Sequence, residues 1–149
     1  MLRDLIGRLE RTTARSRPVS GVAGDCDLCA VAREGEDASG VVLRVRQGRI
    51  LTTHHFLLTD RLDSGPPAFL AQLLREYYPR AGDIPAEILL SHDLDGLDSW
   101  RVWLRQLRGG AVALRQPRRG AKREAVELAR TNAAFKLREV TLRRELRQP

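Results

Sequence analysis

The chain has 149 residues, enough for one domain with a real buried core. With 42% hydrophobic and 30% charged residues it reads as globular, not disordered. No apolar run approaches the ~20 residues of a membrane span, and the opening MLRDLIGRLER has no signal-peptide core, so the expected compartment is the cytoplasm. The net charge of +7 is unevenly spread. Residues 101–123 carry eight Lys or Arg and no acid, whereas residues 83–98 carry five acids and only His92 on the basic side. Such polarity points to one face for an anionic partner, nucleic acid being the usual one, and not to a membrane.

In chain order, Leu2, Leu5, Ile6 and Leu9 recur at i, i+3, i+4 and i+7, the apolar stripe of a short helix. Residues 12–24 are polar, punctuated by Pro18, Gly21 and Gly24, and read as a linker. Three strands are predicted next, over 28–33, 40–46 and 49–59, joined by turns at 34–37 and at Gln47-Gly48; short turns between successive strands make an antiparallel meander. Alternation in VVLRVR puts Val41, Leu43 and Val45 on one face and Val42, Arg44 and Arg46 on the other. Ser64 and Pro66-Pro67 open a helix whose Phe69, Leu70, Leu73, Leu74 and Tyr77 form one stripe. A short buried strand is predicted over 86–90. Asp95, with Asp98 three residues on, is placed to cap a helix bearing Leu97, Trp100, Trp103, Leu104 and Leu107, closed by Gly109-Gly110. A fifth strand over 111–115 leads to a last helix from about Ala121 to near the end, on the order of 40 Å long. The predicted architecture is α/β: a five-stranded mixed sheet in βββ-α-β-α-β-α order with a short N-terminal helix, the layout of the ribonuclease H-like fold.

The residues that could carry chemistry are few. Cys26 and Cys29 spell C-x-x-C, but zinc needs four ligands and there is no second pair; strand spacing sends the two to opposite faces. The same alternation separates His54 from His55, and no metal or cofactor is expected. Trp100 and Trp103 read as core or domain-interface residues; Tyr77 lies on its helix stripe, with Tyr78 exposed at the helix end. A ribonuclease H-type nuclease holds two metal ions about 4 Å apart with carboxylates from the first strand, the end of the fourth and the last helix. Residues 28–32 contain no acid, so the central corner is empty. Asp25 and Asp27 lie before it and Glu34 beyond it, while Asp93 and Glu124 or Glu127 could fill the other two corners. The basic run remains: Arg115, Arg118, Arg119, Lys122 and Arg123 surround a Pro/Gly turn between a strand and a helix. Lys122 and Arg123 stand in the first helical turn, where acids are normally favoured. Either these cations hold phosphates, without regard to base sequence since no aromatic residue interleaves them, or they pair with acids of a neighbouring domain.

Residues 117–123, Pro-x-Arg-Gly-x-Lys-Arg, are followed by Glu127-Leu128-Ala129-Arg130 and Asn132-Ala133. Together they resemble the segment just before the C-terminal nuclease domain of UvrC, the incision subunit of bacterial nucleotide-excision repair. Gly48-Arg49-Ile50 with His55-Phe56-Leu57, then Tyr77-Tyr78, then Glu87-Ile88-Leu89-Leu90 resemble UvrC in the same order, so the likeness spans nearly the whole chain. LRDLIGRLE is similar to the end of the UVR motif, the helical hairpin that binds UvrB. The resemblance implies the end of a UVR-type helix at 1–11, a linker at 12–24 and, over 25–149, a central ribonuclease H-like domain without a working site. It implies three partners: DNA through its backbone, a UvrB-like subunit through Leu2, Leu5, Ile6 and Leu9, and the flanking domains of the parent subunit. The parent family is an excinuclease; for this segment the expectation is a non-catalytic module that binds DNA and spaces the flanking nuclease modules. Two alternatives stay open: a divergent two-metal endonuclease using Asp27, Asp93 and Glu124 or Glu127, and a protein-binding adaptor.

Overall fold

The computed structural model describes residues 6–12, 17–59 and 65–147. Its strands are β1 (Ile6–Thr12), β2 (Arg17–Pro18), β3 (Cys26–Glu34), β4 (Asp37–Arg46), β5 (Arg49–Thr59), β6 (Glu87–Leu90) and β7 (Ala113–Arg115); its α-helices are α1 (Pro66–Tyr77), α2 (Leu97–Arg108) and α3 (Gly120–Arg147). All seven strands belong to one sheet. Six lie side by side in the order β1-β5-β4-β3-β6-β7, and the two-residue β2 also pairs with β5. The β3–β4–β5 meander is antiparallel, and β6 and β7 extend it in parallel from β3. This is the mixed sheet that the turn lengths predict, widened by two strands at its N-terminal edge.

Period-two alternation decides the layers. On one face Leu28, Ala30, Val41, Leu43, Val45 and Leu89 pack under α3; on the other, Cys29, Val31, Val42, Ile88, Leu90 and Leu114 pack under α1 and α2. Ala125, Ala129 and Ala133 line the buried side of α3 at four-residue spacing, so the helix backbone lies close to the sheet. Pro66 and Pro67 open α1, and its five-residue apolar stripe is wholly buried. No helix among the described residues is long and apolar enough to cross a membrane.

Two expectations are corrected. The N-terminal helix is not formed over the described residues: Ile6 and Leu9 lie in β1, antiparallel to β5, with a register shift between Arg8 and Glu10. Leu2 and Leu5 lie outside the described residues. Four apolar residues over two turns specify only a marginal helix, whereas the eleven-residue β5 offers a long row of edge N–H and C=O groups. The second correction is at α2, where neither Asp95 nor Asp98 caps. Gly96 holds the N-cap position in a left-handed conformation with no side-chain cap bond, and Asp98 pairs with Arg101 instead. The other end is as expected, with left-handed Gly109 donating its N–H to the Arg105 carbonyl.

The β4–β5 turn ties down the segment before β3. Gln47 and Gly48 both have positive φ, 54° and 76°. The Gly48 N–H donates to the Gly24 carbonyl at 2.9 Å, its carbonyl accepts from Val19 at 2.8 Å, and Val19 and Val22 are buried under α3. A Cβ at Gly48 would meet the Val22 carbonyl oxygen at 2.6 Å. Gly48→Ala adds this backbone clash to the ~1 kcal/mol left-handed penalty, so a loss of about 2 kcal/mol is expected in urea unfolding. Gly35→Ala, also at positive φ but with nothing near its Cβ, gives the conformational part alone.

Candidate nucleic-acid interface

The loops after β6 and β7 meet at the carboxyl ends of the parallel strands, where open α/β sheets collect their ligand-binding groups. Ser91 fixes this corner. Its N–H donates to the Cys29 carbonyl at 3.0 Å, its Oγ accepts from the Val31 N–H at 3.1 Å, and its carbonyl accepts from Gln116 Nε2 at 3.1 Å. His92 follows, half-buried, its Nδ1 2.7 Å from Ser91 Oγ; burial and then Arg130 push its pKa down. Gly120, at φ 82°, turns the chain from the loop into α3.

The five cations of the basic run do not share one site: Arg118 lies at this corner beside Asp93, whereas Arg115 and Lys122 reach toward the amino end of β6. Arg115 and Lys122 both donate to Glu87 Oε2 at the start of β6, Lys122 at 2.8 Å. Partial burial alone would raise the Glu87 pKa; the hydrogen bonds from Lys122 and Arg115 outweigh it and hold the carboxyl below its ordinary 4.5. Arg123 pairs with Glu127 at 3.3 Å, one turn on. Arg118 touches Asp93 only loosely, at 3.4 Å, with 72% and 70% of the two side chains exposed. Arg119 is exposed, and among the described residues it has no acidic partner. Five cations face three carboxylates, Glu87, Asp93 and Glu127, which leaves an excess of two positive charges. Arg118 and Arg119 carry the part of that excess most open to solvent.

A second polar group lies inside the fold, and sequence reading missed it. Asp27 is completely buried; it accepts from Arg46 Nη1 at 3.0 Å and from the Tyr78 hydroxyl at 2.7 Å. Arg46 also donates to Asp83, as does Arg44 at 2.6 Å. Burial pushes the Asp27 carboxyl up, against the opposing pull of Arg46 and the Tyr78 hydrogen bond. Tyr78, expected at the surface, is 1% exposed. A 3₁₀ turn over Tyr78–Arg80 continues α1 and points the ring inward, edge-on to Tyr77, with its hydroxyl at Asp27 and 3.6 Å from Cys29 Sγ. The available signal was Arg44 and Arg46 alternating onto a core face, because inward arginines require buried acceptors.

The profile of the UvrC Ribonuclease H-like domain family matches residues 25–140. The chain belongs to that family. It is 36% identical over 143 residues to UvrABC system protein C of Moorella thermoacetica, covering 96% of this chain and 23% of the relative. To the same protein of Desulforudis audaxviator it is 40% identical over 135 residues, 89% of this chain and 22% of the relative. The chain thus spans about a quarter of the length of these relatives. No solved structure matches it.

In this UvrC ribonuclease H-like domain the four carboxylates of the endonuclease alternative are not brought together. Asp27 faces the α1 side and is engaged by Arg46 and Tyr78, whereas Glu124 and Glu127 ride on α3 across the sheet. Asp93 is exposed beside Arg118, and Glu127 pairs with Arg123 and Arg130. Among the described residues no three of His, Cys, Asp and Glu gather as a metal-holding group. Cys26 and Cys29 are free thiols in opposite core layers, as the alternation requires. Burial, then Glu87 and Asp27, pushes the Cys26 thiol up to about 11.

Proposed function

We propose that this domain is a non-catalytic module of a UvrC-type incision subunit in nucleotide-excision repair. It holds DNA by its phosphates and spaces the nuclease modules on either side, in the cytoplasm, within a UvrABC assembly. The observation that carries the reading is the cationic corner, with Arg118 and Arg119 solvent-facing beside an α3 N-terminus that has no acid in its first turn. The engagement of Asp27 by Arg46 and Tyr78 supports the non-catalytic part, since a metal-bridging carboxylate needs free oxygens. The UvrB-binding stripe is not carried forward, because Ile6 and Leu9 lie in a strand.

The reading is tested by duplex-DNA affinity at several salt concentrations. Each phosphate contact releases condensed counterions, so about three contacts, from Arg118, Arg119 and Arg123, give a slope near −2.7 in log affinity against log salt. Incubation with nicked, flapped and bubble DNA in Mg²⁺ or Mn²⁺ is expected to give no product. Cleavage abolished by Asp93→Asn would instead establish the endonuclease.

Glu87→Gln gives a separate check. It frees Arg115 and Lys122 from their shared carboxylate, so the salt slope should steepen by up to about two. The same change has a pH signature. The folded Glu87 pKa is depressed, so its stabilisation is present above pH 4.5 and is lost as pH falls through the folded value. Thermal unfolding of the glutamine variant should therefore depend less on pH below 4.5. An unchanged slope would place Arg115 and Lys122 away from the DNA.

A further inference from the structure

Both tryptophans of the chain line one open cleft of about 600 Å³, with Arg75, Asp95, Gly96 and Ser99. Trp100 and Trp103 are half-buried and edge-to-face at 5.4 Å, and the exposed Arg75 guanidinium lies 5.6 Å from the Trp100 ring centroid. We propose that this cleft takes an unpaired nucleobase of DNA held at the basic corner, a base-contacting site distinct from the phosphate contacts. The inference rests on the DNA reading above.

Position, chemistry and charge carry it. The cleft opens at the N-terminal end of α2, and its Asp95 stands two residues beyond Asp93, which touches Arg118 at the basic corner. Arg101, one turn into α2, donates to the Leu114 carbonyl at 2.8 Å and so fixes the helix to β7, the strand leading into that corner. A strand held at Arg118 would therefore lie beside Asp93, two residues along the chain from Asp95 at the cleft. Indole faces stack on any base, and Arg75 supplies a cation for the adjoining phosphate. Asp95 repels a phosphate at the mouth but accepts hydrogen bonds from the exocyclic amino groups of cytosine, adenine or guanine, whereas thymine has no amino group and offers only an N3–H flanked by two carbonyl oxygens that face the carboxylate unfavourably. Asp98, the next acid, is paired with Arg101 at 3.3 Å.

Because both tryptophans are in the cleft, fluorescence excited selectively at tryptophan reports on it, free of Tyr77 and Tyr78. The probes are a 12-nucleotide oligodeoxycytidylate, the matching oligothymidylate and an abasic 12-mer with the same phosphodiester backbone. The expected result is salt-sensitive binding of all three, quenching only by the two that carry bases, and stronger quenching by cytosine. Trp103→Ala should weaken cytidylate binding roughly 5- to 150-fold and leave the abasic strand unchanged. Asp95→Asn, a surface change that spares the packing of α2, should remove the preference for cytosine over thymine. Salt-sensitive binding of all three without quenching, or equal quenching by the abasic strand, overturns the base site and leaves the backbone reading intact. Absence of any salt-sensitive binding overturns both.

Discussion

Asp27→Ala is expected to destabilise the domain by about 3–5 kcal/mol, because it removes the carboxylate and leaves its partners behind. Arg46 has 13% of its side chain exposed and Tyr78 1% of its residue surface, so neither recovers full hydration. A domain of this size has a total stability of about 5–15 kcal/mol, so the melting temperature should fall by about 10 °C or more. Asp27→Asn keeps an acceptor for the Tyr78 hydroxyl and should lose less. It also changes the pH dependence. The folded Asp27 pKa is raised, so the folded chain binds this proton more tightly, and its contribution declines as pH rises from the ordinary 3.8 through the folded value. The asparagine variant should lack that decline. Denaturant titrations of parent, alanine and asparagine proteins between pH 4 and 8 measure both effects; an alanine variant within 1 kcal/mol of the parent would show that the Asp27–Arg46–Tyr78 group does not hold the fold.

The double variant Arg118→Ala/Arg119→Ala is expected to bind duplex DNA about 10- to 30-fold more weakly at low salt, equally for unrelated sequences. The loss should come without instability. Arg118 has only a loose, exposed ion pair and Arg119 none among the described residues, and exposed pairs contribute about 0–1 kcal/mol. The contrast with Asp27 is the useful one: a buried charge whose removal harms the fold, and exposed charges whose removal harms only binding. Filter or anisotropy titrations on two duplexes of different sequence, beside thermal unfolding, check both halves.

How much was legible in the sequence follows from which signals are local. The meander, the three helices and the placing of Val41, Leu43 and Val45 opposite Val42 were readable because periodicity and turn residues act within a few positions. The identity of β1 was not, because Ile6 owes its strand conformation to Leu58, 52 positions away, while its own neighbours spell a helical stripe. At the corner, the cations themselves were visible as a run. That Arg115 and Lys122 share Glu87 was not, since those contacts reach back 28 and 35 residues across parallel strands. The Asp27 group was half-legible: inward Arg44 and Arg46 signalled a buried acid, but only the fold brings Tyr78 from 51 residues away to complete it.

The central claim is that Arg118 and Arg119 lie on DNA phosphates. Its most direct test is the slope of log affinity against log salt for the parent chain and for the Arg118→Ala/Arg119→Ala variant on one duplex. Two lost contacts predict a slope shallower by about 1.8 in the variant. Parallel lines would mean that these arginines do not touch the backbone, and affinity lost instead for an acidic protein partner would make the corner a docking face.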